Sequence, residues 1–153
     1  MITVTQESPL QSDVEALLRQ SDAFSAALYP PDSNHMLALD ALAGPAVRFF
    51  VARLDGRAVG CGGLVLGKEG KAEIKRMFVT DAARGKGVGR AILEAIEDVA
   101  RREDVRVIRL ETGPKSQQAL SLYRSFGYRE RGPFGAYQLD PHSVFMQKKL
   151  PPA

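Results

Sequence analysis

The run Arg84-Gly85-Lys86-Gly87-Val88-Gly89-Arg90 constrains this chain more than any other feature. It lies between a strand-like stretch, 72–79, and a strongly amphipathic stretch, 88–102. Val88, Ile92, Ala95, Ile96 and Val99 of the latter fall on one helical stripe. A second strand-like stretch, 105–111, follows, so strand, helix and strand predict a right-handed parallel crossover. Glycine lacks a Cβ, so the backbone at 85, 87 and 89 can turn sharply and approach a ligand closely. The first amides of a helix have no partner inside it and lie at the positive end of its dipole. With Arg84, Lys86 and Arg90 adding charge, the turn is a cradle suited to phosphate or pyrophosphate.

The remaining chain builds a mostly antiparallel sheet around that crossover. Strands are predicted at 2–5, 47–54, 58–66, 72–79, 105–111, 128–131 and 143–150. Asp55-Gly56 is a strong hairpin signal between the second and third. The glycines at 60, 62 and 63 permit a bulge or the close approach of another group. Helices are predicted at 11–28, 88–102 and 116–126, the last stopped by Gly127, with a short one from Asn34 or His35 to 42 capped by Ser33 or Asn34. Glu97–Arg101 and Asp98–Arg102 read as ion pairs on the wet face of 88–102. The predicted class is α/β of the α+β kind: a mixed, mostly antiparallel central sheet with one parallel βαβ unit and helices on both faces. A length of 153 residues fits a single domain over 1–153, with 150–153 as a short tail.

Composition narrows the partners. The net charge is +3 with both signs mixed along the chain, and no Lys/Arg block marks a nucleic-acid arm. No apolar run approaches the roughly 20 residues needed to cross a bilayer, and the N-terminus does not read as a signal peptide. Cys61 is the single cysteine, which excludes an internal disulfide and fits a reducing, cytoplasmic setting. His35 and His142 lack metal-ligand spacing, so no metal is expected.

Several anions could use the cradle. A Walker P-loop needs a Gly-Lys-Ser/Thr ending that is missing. A dinucleotide fingerprint needs Gly-x-Gly-x-x-Gly after a first strand, and here the spacing and the position differ. A glycine-rich turn that binds nothing leaves the clustering of cations at a helix start without a reason. Arg84-x-x-Gly87-x-Gly89 resembles the acyl-coenzyme A pyrophosphate motif of the GCN5-related N-acetyltransferase (GNAT) superfamily. Glu73-Ile74-Lys75-Arg76-Met77-Phe78-Val79 resembles that family's fourth strand. The stretch from Ala119 through Tyr123 and Gly127 to Tyr128 resembles its last helix and the turn after it. The resemblance covers about 45–149. Residues 1–45 match only loosely, as the variable helices of the acceptor wall.

The resemblance implies an N-acetyltransferase that uses acetyl-coenzyme A as cosubstrate. Arg84, Gly85, Lys86, Gly87, Val88 and Gly89 would hold the pyrophosphate and Arg90 the 3′-phosphate. The pantetheine arm would run along Met77-Phe78-Val79, with the amide of Phe78 polarising the thioester carbonyl. Ser116 stands where relatives often carry an asparagine that touches this arm. Tyr123 would donate a proton to the departing thiolate. Glu73, read as sharing a face with Met77, and Glu111, at the end of its strand, are alternative general bases. His35, or no dedicated base at all, remains open. An acyl-cysteine on Cys61 would need an activated thiolate that no sequence neighbour supplies.

The acceptor walls are expected at Tyr29, Asn34 and His35 on one side, and at Phe134 and Tyr137 on the other. Asp32 or Asp40 would attract a cationic amine, whereas Arg48, Arg53 or Arg57 would favour one bearing a carboxylate. The expected acceptor is the primary amine of a small molecule or an amino acid, attacking directly in a ternary complex. A protein N-acetyltransferase and a non-catalytic acyl-coenzyme A sensor are the alternatives. No nucleic-acid or membrane partner is expected, and the resemblance admits a homodimer through the last strands.

Overall fold

A computed structural model of the protein describes residues 1–33 and 37–151. Seven strands form one sheet: β1 (Ile2–Gln6), β2 (Val47–Leu54), β3 (Arg57–Leu66), β4 (Lys71–Val79), β5 (Val107–Thr112), β6 (Arg129–Arg131) and β7 (Val144–Lys149). Their spatial order is β1-β2-β3-β4-β5-β7-β6, and only β4 and β5 run parallel. The helices are α1 (Ser12–Leu28), α2 (Leu39–Leu42), α3 (Val88–Arg102) and α4 (Gln117–Ser125). The predicted class and nearly all element positions match. The predicted short helix from 34 or 35 to 42 is reduced to Leu39–Leu42, preceded by a 3-10 turn at Pro31–Ser33, and its predicted start lies outside the described residues.

Two cores sandwich the sheet. On one face α3 buries Ile92, Leu93 and Ile96, and α4 buries Leu120 and Tyr123, against Leu64, Ile74, Ile108, Leu110 and Met146. On the other face α1 and α2 bury Val14, Leu17, Leu18 and Leu42 against Phe49, Val51 and Cys61. The glycines of β3 let α3 settle low on the sheet. A Cβ at Gly60 would lie 2.9 Å from Ile92 and Val88, and one at Gly62 would lie 2.9 Å from the Met77 sulfur. α3 is less amphipathic than its sequence suggests. Glu97 is buried, accepting bonds from Lys148 at 2.7 Å and Arg101 at 3.2 Å, while Asp98 pairs with Arg101 rather than Arg102.

β4 does not alternate evenly. The β3–β4 register slips between Cys61 and Gly63, so one residue of β3 faces two of β4, and Arg76 takes up a left-handed φ of 61°. That conformation costs a non-glycine residue roughly 1–2 kcal/mol. Arg76 is held there by an ion pair to Asp22 of α1 at 2.8 Å and a bond to the Leu18 carbonyl at 3.2 Å. The bulge resets the faces of the strand. Ile74, Met77 and Val79 point toward α3, whereas Phe78 packs with the α1 core. Glu73, one residue from Ile74, therefore does not share a face with Met77, contrary to the even alternation assumed from sequence.

Near the N-terminus, Arg53 of β2 clamps Glu7 at 2.8 Å and Asp13 at 2.8 Å. The guanidinium lowers the Glu7 carboxyl from its ordinary 4.5 to about 2. A carboxyl lowered in the folded state stabilises the fold above its unfolded pKa, and this contribution is lost as pH falls through the folded value. The melting temperature of Glu7→Gln is expected to lie below wild type at neutral pH, with the gap closing between about pH 4.5 and 2. Thermal melts across that window check this, and a gap independent of pH contradicts it.

Candidate active site

The parallel pairing of β4 and β5 ends at Ile74↔Leu110. β4 continues to Val79 without β5 beside it, while β5 keeps its pairing to β7 through Thr112↔Val144. The two strands thus splay apart from Lys75 and Glu111 onward. A cavity of about 490 Å³ fills the splay, bounded by β4 residues 75–79, the end of β5, the start of α4, the C-terminal half of α1 and the glycine turn.

The glycine turn forms one end of this cavity. Gly87 is the N-cap of α3 with φ of 81° and no side-chain cap, and Gly85 also has a left-handed φ of 79°. A Cβ on either would meet nothing within 4 Å. Among the described residues, none accepts a hydrogen bond from the amides of residues 85–90. This is a concave, amide-lined surface at a helix start, and it fits a pyrophosphate. Arg84, Gly85, Gly87, Val88 and Gly89 line the cavity, but Lys86 and Arg90 do not. Arg84 pairs with Asp81 at 2.5 Å and stacks on Phe24, and Arg90 stacks on Phe126.

Met77, Phe78 and Val79 line the middle. Their amides are not equivalent. Thr80 donates to the Val59 carbonyl at 2.9 Å, in step with the pairs Gly60↔Val79 and Cys61↔Phe78. By the alternation of an antiparallel ladder, the Phe78 amide is directed to Cys61 on β3, and the amides of Met77 and Val79 face the gap. The Phe78 amide is therefore not directed into the gap, where its expected role would need it.

Tyr123, from α4, lines the cavity opposite β4. Its ring is buried edge-on against Tyr128, and burial pushes its phenol above the ordinary value of 10. It stays protonated at neutral pH and can donate a hydrogen bond. Ser116, the N-cap of α4, shares a hydrogen bond of 2.8 Å with the Tyr29 hydroxyl, which also accepts the Lys115 amide at 3.2 Å. The Tyr29 ring lies directly over Gly113, where an added Cβ would come within 2.0 Å of it. From sequence, Gly113-Pro114 read only as a chain break. It is the seat of a tyrosine from the opposite wall.

The two glutamates are placed differently. Glu111 lines the cavity, and its Oε2 accepts the Ser143 hydroxyl at 2.6 Å. Glu73 does not line it. Glu73 accepts the Tyr137 hydroxyl at 2.6 Å and pairs with Lys75 at 3.4 Å, while the Lys75 ammonium also donates to Tyr137. Burial and the Glu73 carboxylate push the Tyr137 phenol up, so it keeps its proton. Phe134 is buried against Tyr137 and Phe145, with Arg109 and Arg131 stacked on it. Phe134 and Tyr137 thus brace the cavity from behind, and among the described residues Tyr29 is the expected acceptor contact that lines it. Asn34 and His35 lie outside the described residues.

Arg48 is bound to Glu103, Arg53 to Glu7 and Asp13, and neither these nor Arg57 line the cavity. Lys75, Lys115 and His142 do, and sequence reading assigned none of them. They come from three separate elements, so no local spacing announces them. Cys61 is fully buried against the α1 core, outside the cavity lining, and burial pushes its thiol up to about 12. Among the described residues there is no group of three metal-ligating side chains and no helix long and apolar enough to cross a membrane.

The profile of the Acetyltransferase (GNAT) family matches residues 14–128. An IAA acetyltransferase of Azospirillum brasilense is 47% identical over 150 residues, spanning 97% of this chain and 98% of that protein. A crystal structure from Klebsiella pneumoniae, described as a candidate acyl-CoA N-acyltransferase, superposes with a TM-score of 0.83 at 37% identity, covering 98% of both chains. The PaiA N-acetyltransferase of Thermoplasma acidophilum, solved with coenzyme A, shares the fold with a TM-score of 0.73 at 18% identity, covering 98% of this chain and 99% of that one.

Proposed function

As a member of the GNAT acetyltransferase family this chain is an acyl-CoA-dependent N-acetyltransferase, and we propose that it moves an acetyl group from acetyl-coenzyme A to the primary amine of a small molecule or amino acid. The observation that carries this reading is the unbroken cavity between the glycine cradle and the α1 wall, with Tyr123 and Glu111 both on its surface. The relative named for acetyl transfer to IAA supports a small acceptor.

In this reading the amides before Arg90 hold the pyrophosphate, and the pantetheine arm lies in the splay as a short strand against the free edge of β4. The amides of Met77 and Val79 face that arm and its thioester. Ser116 reaches the arm only in competition with Tyr29. An alkylamine has a pKa near 10.4 and must lose a proton before it attacks. Glu111 takes that role, directly or through water, since it is on the cavity lining, where Ser143 holds one carboxylate oxygen, whereas Glu73 is off the lining and bound to Tyr137 and Lys75. The neutral amine attacks the thioester carbonyl, and the C–S bond breaks to release the thiolate. Thiols ionise near 8.5, below the raised Tyr123 phenol, so Tyr123 stabilises the thiolate as a hydrogen-bond donor rather than by complete proton transfer. A buried, protonated Cys61 off the cavity surface supports direct transfer without an acyl-enzyme.

The assignment is tested by following coenzyme A release with a panel of small amines and N-terminal peptides. Small amines should be turned over, and exclusive turnover of peptides would replace the reading with a protein acetyltransferase. Tyr123→Phe should lower kcat by roughly 10–1000-fold with donor KM little changed. Unchanged kcat removes Tyr123 from the mechanism.

A further inference from the structure

The acceptor half of the cavity has a charge pattern that selects among amines. It lies between the C-terminal end of α1 and the turn before β7. These walls are tied together by Ser33, whose hydroxyl donates to Asp140 at 2.6 Å, and Asp140 also accepts the His142 amide at 2.8 Å. Lys75, Lys115 and His142 line this half, and Glu111 is the one carboxylate on the cavity surface among the described residues. Arg76, also on the surface, pairs with Asp22, and Lys75 pairs with Glu73, which itself lies off the cavity lining. Lys75 is fixed rather than swinging. Its ammonium lies between Glu73 and Tyr137, and its side chain is 16% exposed. Lys115 reaches back to the Leu28 carbonyl at 3.3 Å, beside Tyr29. Much of the remaining wall is apolar, with Phe24, Leu28 and Phe78 contributing, so the shielded Lys75 is less screened than the exposed Lys115.

We propose that the acceptor is an amine that also carries a carboxylate, bound by Lys75 and Lys115 while Glu111 faces the amino group. This rests on the transferase reading above and adds the acceptor's chemical class. A polycationic acceptor meets the same lysines as repulsion. Glu73 and Tyr137 are then positioning residues, which aim Lys75 without touching the acceptor.

Matched pairs differing only in the carboxylate decide the matter: leucine against isoamylamine, phenylalanine against phenethylamine, and methionine against 3-methylthiopropylamine. The amides of the three amino acids serve as uncharged isosteres. With acetyl-coenzyme A saturating, the acids are expected to have kcat/KM at least about tenfold above their amines and amides. Lys75→Gln and Lys115→Gln should each raise acceptor KM for the acid by about 10–100-fold and shrink its advantage over the amine, with donor KM unaltered. Tyr137→Phe should raise the same KM by a smaller factor, and thermal melts confirm that each variant is folded. Equal or better turnover of the plain amines by wild type overturns the carboxylate proposal and leaves the transferase reading standing. Failure of every small amine, with donor binding intact, overturns both.

Discussion

Gly87→Glu is expected to give a folded protein that no longer holds acetyl-coenzyme A, with donor affinity reduced at least about 100-fold. The backbone at 87 has φ of 81°, and a Cβ there would have open space around it. The substitution therefore does not collide with the fold. It costs roughly 1–2 kcal/mol for the left-handed conformation, or about 2–8 °C in Tm for a domain of this size. Its carboxylate would project where the pyrophosphate has to lie, turning an attractive site into a repulsive one. Gly87→Ala separates the two effects. It carries the same backbone cost without charge, so its Tm should match while its donor affinity falls far less. Titration calorimetry with acetyl-coenzyme A and with free coenzyme A checks both. Wild-type affinity in Gly87→Glu means that the amides before Arg90 are not the anion site.

Glu111→Gln is expected to lower kcat by about 100–10,000-fold near pH 7, as loss of a general base does. Activity should recover at high pH, where the acceptor amine sheds its proton without help. Glu73→Gln makes the informative comparison. Glu73 grips Lys75 and Tyr137 away from the cavity surface, so its loss should raise acceptor KM by about tenfold or less and leave the pH profile of kcat in place. The reverse pattern, a large kcat loss in Glu73→Gln and a small one in Glu111→Gln, exchanges the two roles. Wild-type kcat in both leaves proton removal to solvent.

These two tests also mark how far the sequence could be read. The glycine turn at the start of α3 was legible because it is local: glycines and cations packed into seven residues at a helix start. The crossover and the meander were legible from hydrophobic period and turn residues. The relation of Glu73 to Met77 was not, because it depends on one bulged residue between them. Arg76 shifts the strand by a single position, which reverses the faces of everything after it and directs the Phe78 amide to β3. Equally hidden was the buried state of Phe134, which looked like a loop aromatic but fills the space over Phe145. Lys75, Lys115 and His142 line one cavity only because β4, the loop before α4 and the 140–143 turn converge on it. Nothing within a few residues of any of them carries that information.

The contact between Tyr29 and Ser116 has a thermodynamic meaning of its own. One hydroxyl sits at the end of α1, on the acceptor side, and the other caps the helix that flanks the donor arm, 2.8 Å apart. A donor that draws Ser116 toward itself loosens Tyr29 from its seat on Gly113, and an acceptor that repositions Tyr29 releases Ser116 in turn. Linkage makes that influence mutual, so each ligand alters the affinity of the other by one and the same factor. A single bridge between hydroxyl groups thus joins the acceptor-side wall to the helix that flanks the donor arm, and any coupling it carries is equal in both directions.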